Sequence, residues 1–338
     1  MKNKTLYLII LFTILIACKD QNVSSNLENQ LSLEVGFKNP PNQAKARTWW
    51  HWISGNVSKS GITKDLEAMK AVGIQEAQLF NVHLGFPQGP VKYLSEDWLD
   101  LFKFSAEEAK RLDLELAFHN SAGWSSSGGP WVTEENAMQT VVFSKFEVSG
   151  GKTIKEQLPK PKTKFEFYKD IAVLAFPKPK EIKKIDGLDY KILSERIRNH
   201  LLPDTKDIPE TSVILKENVI DVTDKFSSDG VLEWNAPKGE WIILRFGHTP
   251  IGTQNRPAPP EARGLEVDKM SKTAVDAYWK GGVQPIIDKL GDLIGSTVNN
   301  CLIDSYEVET TNWTSGFDAQ FKNLRGYDLT SYLPTLAG

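Results

Sequence analysis

Between Arg47 and Asn120 the chain alternates apolar, strand-like runs with segments of helical period. No other feature constrains the fold as much. "RTWWHWI" is a short aromatic strand candidate. "ITKDLEAMKAVGI" sets Ile62, Leu66 and Met69 at helical spacing, with Thr63 placed as the cap and Gly73 as the stop. "IQEAQLFNVH" reads as a second strand. "SEDWLDLFKFSAEEAKRLDL" reads as an amphipathic helix capped by Ser95, with Trp98, Leu101, Phe102 and Ala109 on one face. "LELAFHN" is the third strand. Strands separated by helices of this length are joined by crossovers and run parallel, so the expected class is α/β.

From about residue 140 to 250 the texture changes. "TVVFSKFEVSGGKTIKEQL", "DIAVLAFPKP" and "GVLEWNAPKGEWIILRFGHT" are short β-rich runs broken by Gly, Pro and Asp, and they read as an all-β insertion. The α/β pattern then returns. "SKTAVDAYWKGGVQPIIDKL" is a helix or helix pair, Val298 to Ile303 a buried strand, and "TSGFDAQFKNLRGYDL" a helix. The chain stops at "SYLPTLAG", in the middle of what reads as a continuing fold.

Ahead of this lies a short export-like segment. Lys2 and Lys4 precede the apolar run "LYLIILFTILIA", which is too short for a comfortable membrane span. The run ends in "LIAC", which resembles the lipobox of bacterial lipoproteins. By that resemblance residues 1–17 are a signal peptide and Cys18 is the lipidated first residue. The chain is then lipid-anchored in a bacterial cell envelope, in the periplasm or at the outer-membrane surface. An ordinary signal peptide with an incidental cysteine is the alternative. Residues 18–45 are polar and read as a tether. Cys301 is the only other cysteine, in the apolar context "NNCLID", and is expected to be a buried thiol without a disulfide partner.

Hydrophobic residues make up 40% of the chain and charged residues 25%, the profile of a globular protein. The 40 Lys and Arg against 43 Asp and Glu leave a net charge of −3 without a long basic run, which argues against a nucleic-acid partner. The ten tryptophans suit either sugar faces or a large core.

Three early strands end in polar or aromatic residues: His51 and Trp52, Asn81 and His83, His119 and Asn120. In a parallel α/β barrel the C-terminal strand ends build the active site. Each histidine alone suits a structural hydrogen bond; together they suit a functional rim. "GWSSSGGPW" follows, neither a nucleophile elbow nor a phosphate loop. Two tryptophans and a proline argue against a solvated linker. A tight loop whose small residues admit a ligand, with Trp124 offering a ring face, explains more.

In "IDSYEVETTNWT" the acids Asp304, Glu307 and Glu309 cluster beside Tyr306 and Trp313. A carboxyl group against an apolar wall holds its proton to higher pH, which a general acid requires. Acids at a helix start are the alternative. In "EARGLEVDKMS", Glu266 and Asp268 can bind hydroxyls or a hard cation, and Asp268 can equally cap the following helix.

Taken together, "RTWWHWISGNVSKSGITKDLEAMKAVGI", "AFHNSAGWSSSGGPWVT", "GLEVDKMS" and "IDSYEVETTNWT…GYDLTSYLP" resemble glycoside hydrolase family 106, the inverting α-L-rhamnosidases. The resemblance runs from about Arg47 to the last residue. It implies a (β/α)8 TIM-type barrel, here partial, over residues 46–139 and 251–338, with the β-rich insertion at 140–250 between them. It implies Glu307 as the general acid, with His51, Asn120, Trp124 and Asp268 lining the sugar pocket; Trp52, His119 and Asp304 are expected there too. It implies calcium, with no ligands assignable, and a rhamnose-containing polysaccharide or oligosaccharide as partner, plant pectic and algal glycans fitting equally. In the family the water-activating base comes from a later barrel strand. The chain is therefore expected to be the front portion of a longer enzyme, with a non-catalytic sugar-binding lipoprotein or an inactive remnant as the alternatives.

Overall fold

The computed structural model describes residues 33–192, 207–308 and 310–338. The export segment, Cys18, most of the tether and Glu309 lie outside them. A short helix α1 (Leu33–Lys38) falls within the part expected to be a polar tether.

The strand–helix alternation folds as three parallel strands joined by two helical crossovers. Strand β1 (Ala46–Ile53) leads through helix α2 (Lys59–Ala71) to β2 (Ile74–Val82), and α3 (Glu96–Arg111) leads on to β3 (Glu115–His119). The cap of α2 is Ser58, whose hydroxyl accepts from the Gly61 N–H at 3.2 Å. Thr63, the expected cap, lies inside the helix and its hydroxyl donates to Glu108 on α3. Ser95 caps α3 as expected, accepting from the Trp98 N–H at 3.3 Å.

Six strands follow in antiparallel pairing: β4 (Gln139–Ser149), β5 (Lys152–Gln157), β6 (Lys169–Pro177), β7 (Ile220–Asp221), β8 (Val231–Ala236) and β9 (Glu240–Pro250). Their sheets run β4-β9-β6-β7 and β5-β8. Strand β9 is buried along ten of its eleven residues because both of its faces are covered. Trp241 and Ile243 pack with Leu232 and Trp234 on one side, and Ile242, Leu244 and Phe246 pack with Trp313 and Leu333 on the other. A strand buried on both faces reads as a continuous apolar run rather than an alternation.

The chain then forms a helix pair, α4 (Lys272–Gly282) and α5 (Gln284–Leu290), then β10 (Val298–Leu302) and α6 (Phe317–Arg325). Strand β10 joins β3 in parallel, giving a four-stranded sheet of order β1-β2-β3-β10. The described residues thus form a mixed α/β structure with a parallel sheet that is not closed into a barrel.

Side chains alternate across this sheet. Trp50, Trp52, Leu79, Leu116 and Phe118 pack on one face against Ile62 and Leu66 of α2 and Trp98, Leu99 and Phe102 of α3. Each such fully buried large side chain contributes about 1.5–3 kcal/mol. The opposite face is polar at the N-terminal ends of the strands, where buried Glu76 meets Arg47, and aromatic further along, where Trp49, His51, Phe80 and His119 form a row.

Two expectations change at β10. Its burial alternates instead of being continuous, Ile303 is 67% exposed, and Cys301 is an exposed thiol rather than a buried one. Its position explains this: among the described residues β10 is an edge strand with β3 as its only neighbour.

Candidate active site

The row of aromatics on the sheet leads, at the C-terminal ends of the strands, to an open cleft of about 470 Å³. Trp49, Trp124, Arg256, Pro257, Asp304 and Glu307 line it, with Leu84, Ser125 and Ser305. Three of the sequence candidates, Trp124, Asp304 and Glu307, are therefore brought together.

The loop after β3 supplies Trp124. Its backbone N–H donates to the Arg256 carbonyl (3.0 Å) and its indole N–H to His51 Nε2 (3.2 Å). The second bond makes His51 an acceptor, hence neutral, and burial lowers its pKa. His51 thus holds the indole edge while the ring itself lines the cleft. Ser125 and Ser305 pair as a parallel bridge, which ties the Trp124 loop to the segment carrying Asp304 and Glu307.

His119 acts one step back from the cleft. It is 2% exposed and stacks on Phe80 with ring centroids 4.8 Å apart. Its Nδ1 lies 2.8 Å from the Ser121 carbonyl, an acceptor only, so Nδ1 carries the proton. Nε2 is then free to accept the Asp304 N–H at 3.2 Å, which positions the backbone of the carboxylate segment. Burial lowers the His119 pKa and so favours this neutral form.

Asn120 and Asp268 are buried and are not among the residues that line the cleft. The Asn120 amide donates to the Ser126 carbonyl, its own carbonyl accepts from Tyr278, and its Oδ1 is buried without a partner. Asp268 accepts from Thr314 Oγ1 (2.6 Å) and the Met270 N–H (3.0 Å), and the helix cap is Ser271, not Asp268. Trp52 is placed elsewhere. It is 4% exposed and packs on Trp98 and Phe102, because a residue adjacent to His51 on a strand must point to the opposite face.

Two further expectations are corrected. Beyond Ser125, which lines the cleft, the Ser/Gly loop does not face it, since residues 126–129 are buried against the segment 254–267. Ser127 Oγ donates to Glu266 Oε2 (2.5 Å), and a Cβ on Gly128 would come within 2.8 Å of Asn255. Its small residues serve close packing within the chain. Glu307 is also exposed, and the aromatic rings that share its cleft are those of Trp49 and Trp124 rather than Trp313, which is buried with His248 and Phe317. The sequence reading missed Trp49 and Arg256. The one-in-two parity with His51 could have found Trp49; no motif marks Arg256.

Among the described residues no group of three or more His, Cys, Asp or Glu side chains is placed to hold a metal. The partnerless buried oxygens are few, among them Asn120 Oδ1 and Glu266 Oε1. Calcium takes six to eight oxygens, and Asn120 Oδ1 with Glu266 Oε1 are too few to be assigned as its ligands.

The sequence profile of glycoside hydrolase family 106, described as alpha-L-rhamnosidase, matches residues 38–338. The chain belongs to this family. It is also similar to the rhamnosidase from Novosphingobium sp. PP1Y, with a TM-score of 0.75 and 30% identity over 91% of this chain and 43% of that one. A protein of Formosa agariphila named "Putative beta-glucuronidase" is 70% identical over 332 residues, which are 98% of this chain. The chain spans 28% of that relative's length.

The buried histidines set an acid limit. His51, His119 and His248 all have pKa values lowered from 6.5 by burial, that of His248 to about 4. Each binds a proton less readily folded than unfolded, so unfolding takes up protons below pH 6.5. Their contribution is complete above that pH and is lost as pH falls from 6.5 toward 4. Denaturant unfolding at a series of pH values should show stability falling through this window. A flat profile from pH 6.5 to 5 would contradict the neutral assignments.

Proposed function

We propose that this chain carries the sugar-binding cleft and the general acid of an α-L-rhamnosidase, which releases terminal L-rhamnose from a polysaccharide or oligosaccharide with inversion. The observation that supports it is the cleft itself: two carboxylates, Asp304 and Glu307, beside the indole rings of Trp49 and Trp124. Indole faces suit the apolar face of a sugar ring, and carboxylates bind hydroxyls or deliver a proton. A glucuronate released from the same cleft would meet like charge, which favours a neutral sugar there.

In this reading Glu307 protonates the departing glycosidic oxygen as the bond to the anomeric carbon breaks. Asp304 accepts hydroxyl hydrogen bonds, its backbone held by His119. Trp124, steadied by His51, forms a wall. Inversion also needs a second carboxylate, about 6.5–9.5 Å from the acid, to activate water on the opposite face. No residue described here is assigned to that role. The same proposal includes the (β/α)8 barrel context, with barrel parts at 46–139 and 251–338 around the 140–250 insertion. It also includes export, a lipid anchor at Cys18 in the cell envelope, and a calcium requirement that a chelator would reveal.

The test is rhamnose release from a rhamnosylated oligosaccharide, with L-rhamnose binding followed by tryptophan fluorescence. Glu307→Gln should lower release by about 10²–10⁴-fold and leave binding intact. Unchanged release would remove Glu307 from the mechanism. Binding without release by the unaltered chain would mean either a non-catalytic sugar binder or the front portion of an enzyme whose base is supplied elsewhere.

A further inference from the structure

The cleft does not end at Arg256. That residue and Pro257 also line a second cavity, of about 500 Å³, whose other polar residues are Lys164, Thr253, Gln254, Asn255 and Arg263. The two spaces therefore meet at one ridge, and each falls within the roughly 300–1,000 Å³ of small-molecule sites. Their electrostatics are opposite. The cleft sets two carboxylates, Asp304 and Glu307, against the shared Arg256; the second cavity has that arginine together with Lys164 and Arg263 and no carboxylate.

Those cations are not neutralised by neighbours. Among the described residues no ion pair involves Lys164, Arg256 or Arg263. Arg263 donates one bond, to the Ala258 carbonyl, and all three side chains are exposed to the cavity and solvent. Glu261 is turned away, accepting from the Tyr93 N–H. In a chain of net charge −3, three unpaired cations around one cavity are a local excess.

The backbone beneath them is built, not loose. Asn255 is fully buried, donates to the Ala122 and Ala262 carbonyls and accepts from the Gly264 N–H. Arg256 exchanges hydrogen bonds with Trp124 and Ser125, the residues that form the cleft wall. The wall of the cleft and the backbone that carries Arg256 are thus tied together.

We propose that this second cavity is a subsite for an anion-bearing sugar, a uronate or a sulfated residue, in the glycan whose neutral terminal sugar occupies the Trp124 cleft. This rests on the rhamnosidase reading and adds a substrate class to it. The carboxylate-lined cleft repels an anion and the cation-lined cavity attracts one, so the charge pattern sets the order of the two sugars. Planar guanidinium forks match a carboxylate in bidentate fashion, and Arg256 and Arg263 supply two.

The experiment is titration calorimetry of the full chain at low ionic strength with tetragalacturonate, its carboxyl-reduced neutral counterpart, and a sulfated galactan oligosaccharide. The variants are Lys164→Gln and Arg263→Gln, singly and together. Tetragalacturonate or the sulfated probe should bind at least 10-fold more tightly than the neutral one, weakening as salt is added. Which anionic probe binds more tightly identifies carboxylate or sulfate as the group recognised. The double variant should lose about 10-fold or more in affinity. Its L-rhamnose response should be unchanged, which also shows that it is folded. Equal binding of the neutral oligosaccharide, or unaltered affinity in the double variant, would overturn the subsite. Loss of the L-rhamnose response in the unaltered chain, with anion binding retained, would instead overturn the rhamnosidase reading.

Discussion

Replacing Glu76 by alanine is expected to lower stability by about 3 kcal/mol, the lower end of what breaking a buried charge pair costs. Glu76 is fully buried in β2, on the face opposite the helices. Its Oε2 accepts from Arg47 Nη1 at 2.7 Å and Asn300 Nδ2 at 2.5 Å, and its Oε1 from Gln78 Nε2 at 2.7 Å. One carboxylate thus links three strands of the parallel sheet: β1, β2 and β10. Truncation leaves donors from all three without their acceptor, and an unpaired buried donor carries its full desolvation cost. Arg47 is partly exposed and can turn to water, which is why the lower figure applies. Glu76→Gln should cost less, because it keeps one acceptor oxygen in place. Urea unfolding followed by fluorescence and circular dichroism would measure both. A loss under 1 kcal/mol for alanine would show that the network is not cooperative with the sheet.

The βαβ order, the Ser95 cap and the β-rich character of residues 140–250 were legible because each depends on local period and capping chemistry; the antiparallel pairing of those strands came only with the structure. The start of α2 was misplaced because Ser58 and Thr63 are both competent caps, and only the three-dimensional partner of Thr63, Glu108, separates them. The exposure of β10 was illegible because "VNNCLI" looks the same whether one neighbour or two flank the strand. At the site the residues were largely named, but their tasks were not. His119 and Asn120 were expected against the sugar, and they instead brace the segments that carry Asp304 and Trp124. Trp52 and Trp49 were exchanged, an error that the two-residue period of a strand could have prevented. Arg256 enters the cleft through a long-range pairing with Trp124 and Ser125, over 130 residues away, that leaves no local trace.

Gly264→Ala is the second change expected to have a large effect, because it inserts a methyl group where two backbones touch. A Cβ at Gly264 would fall 2.0 Å from the Gly129 carbonyl oxygen and 2.1 Å from its carbon. Neither is a flexible side-chain end, so one backbone has to move. Overpacking of this kind costs about 1–3 kcal/mol, and contact with backbone on both sides favours the upper figure. The displacement would not stay local. Gly264 N–H donates to Asn255 Oδ1, Asn255 holds the Ala122 carbonyl, and the next residue, Arg256, holds Trp124 and Ser125. The loop expected to wrap a sugar is thus the spacer that sets the cleft wall, and its glycine contact controls the distance. Stability and sugar binding should therefore fall together in Gly264→Ala. Gly36→Ala, in α1 where a Cβ meets nothing within 4 Å, should lower neither stability nor sugar binding. Retained L-rhamnose affinity in a destabilised Gly264→Ala protein would separate the loop from the site, leaving His51 alone to position Trp124.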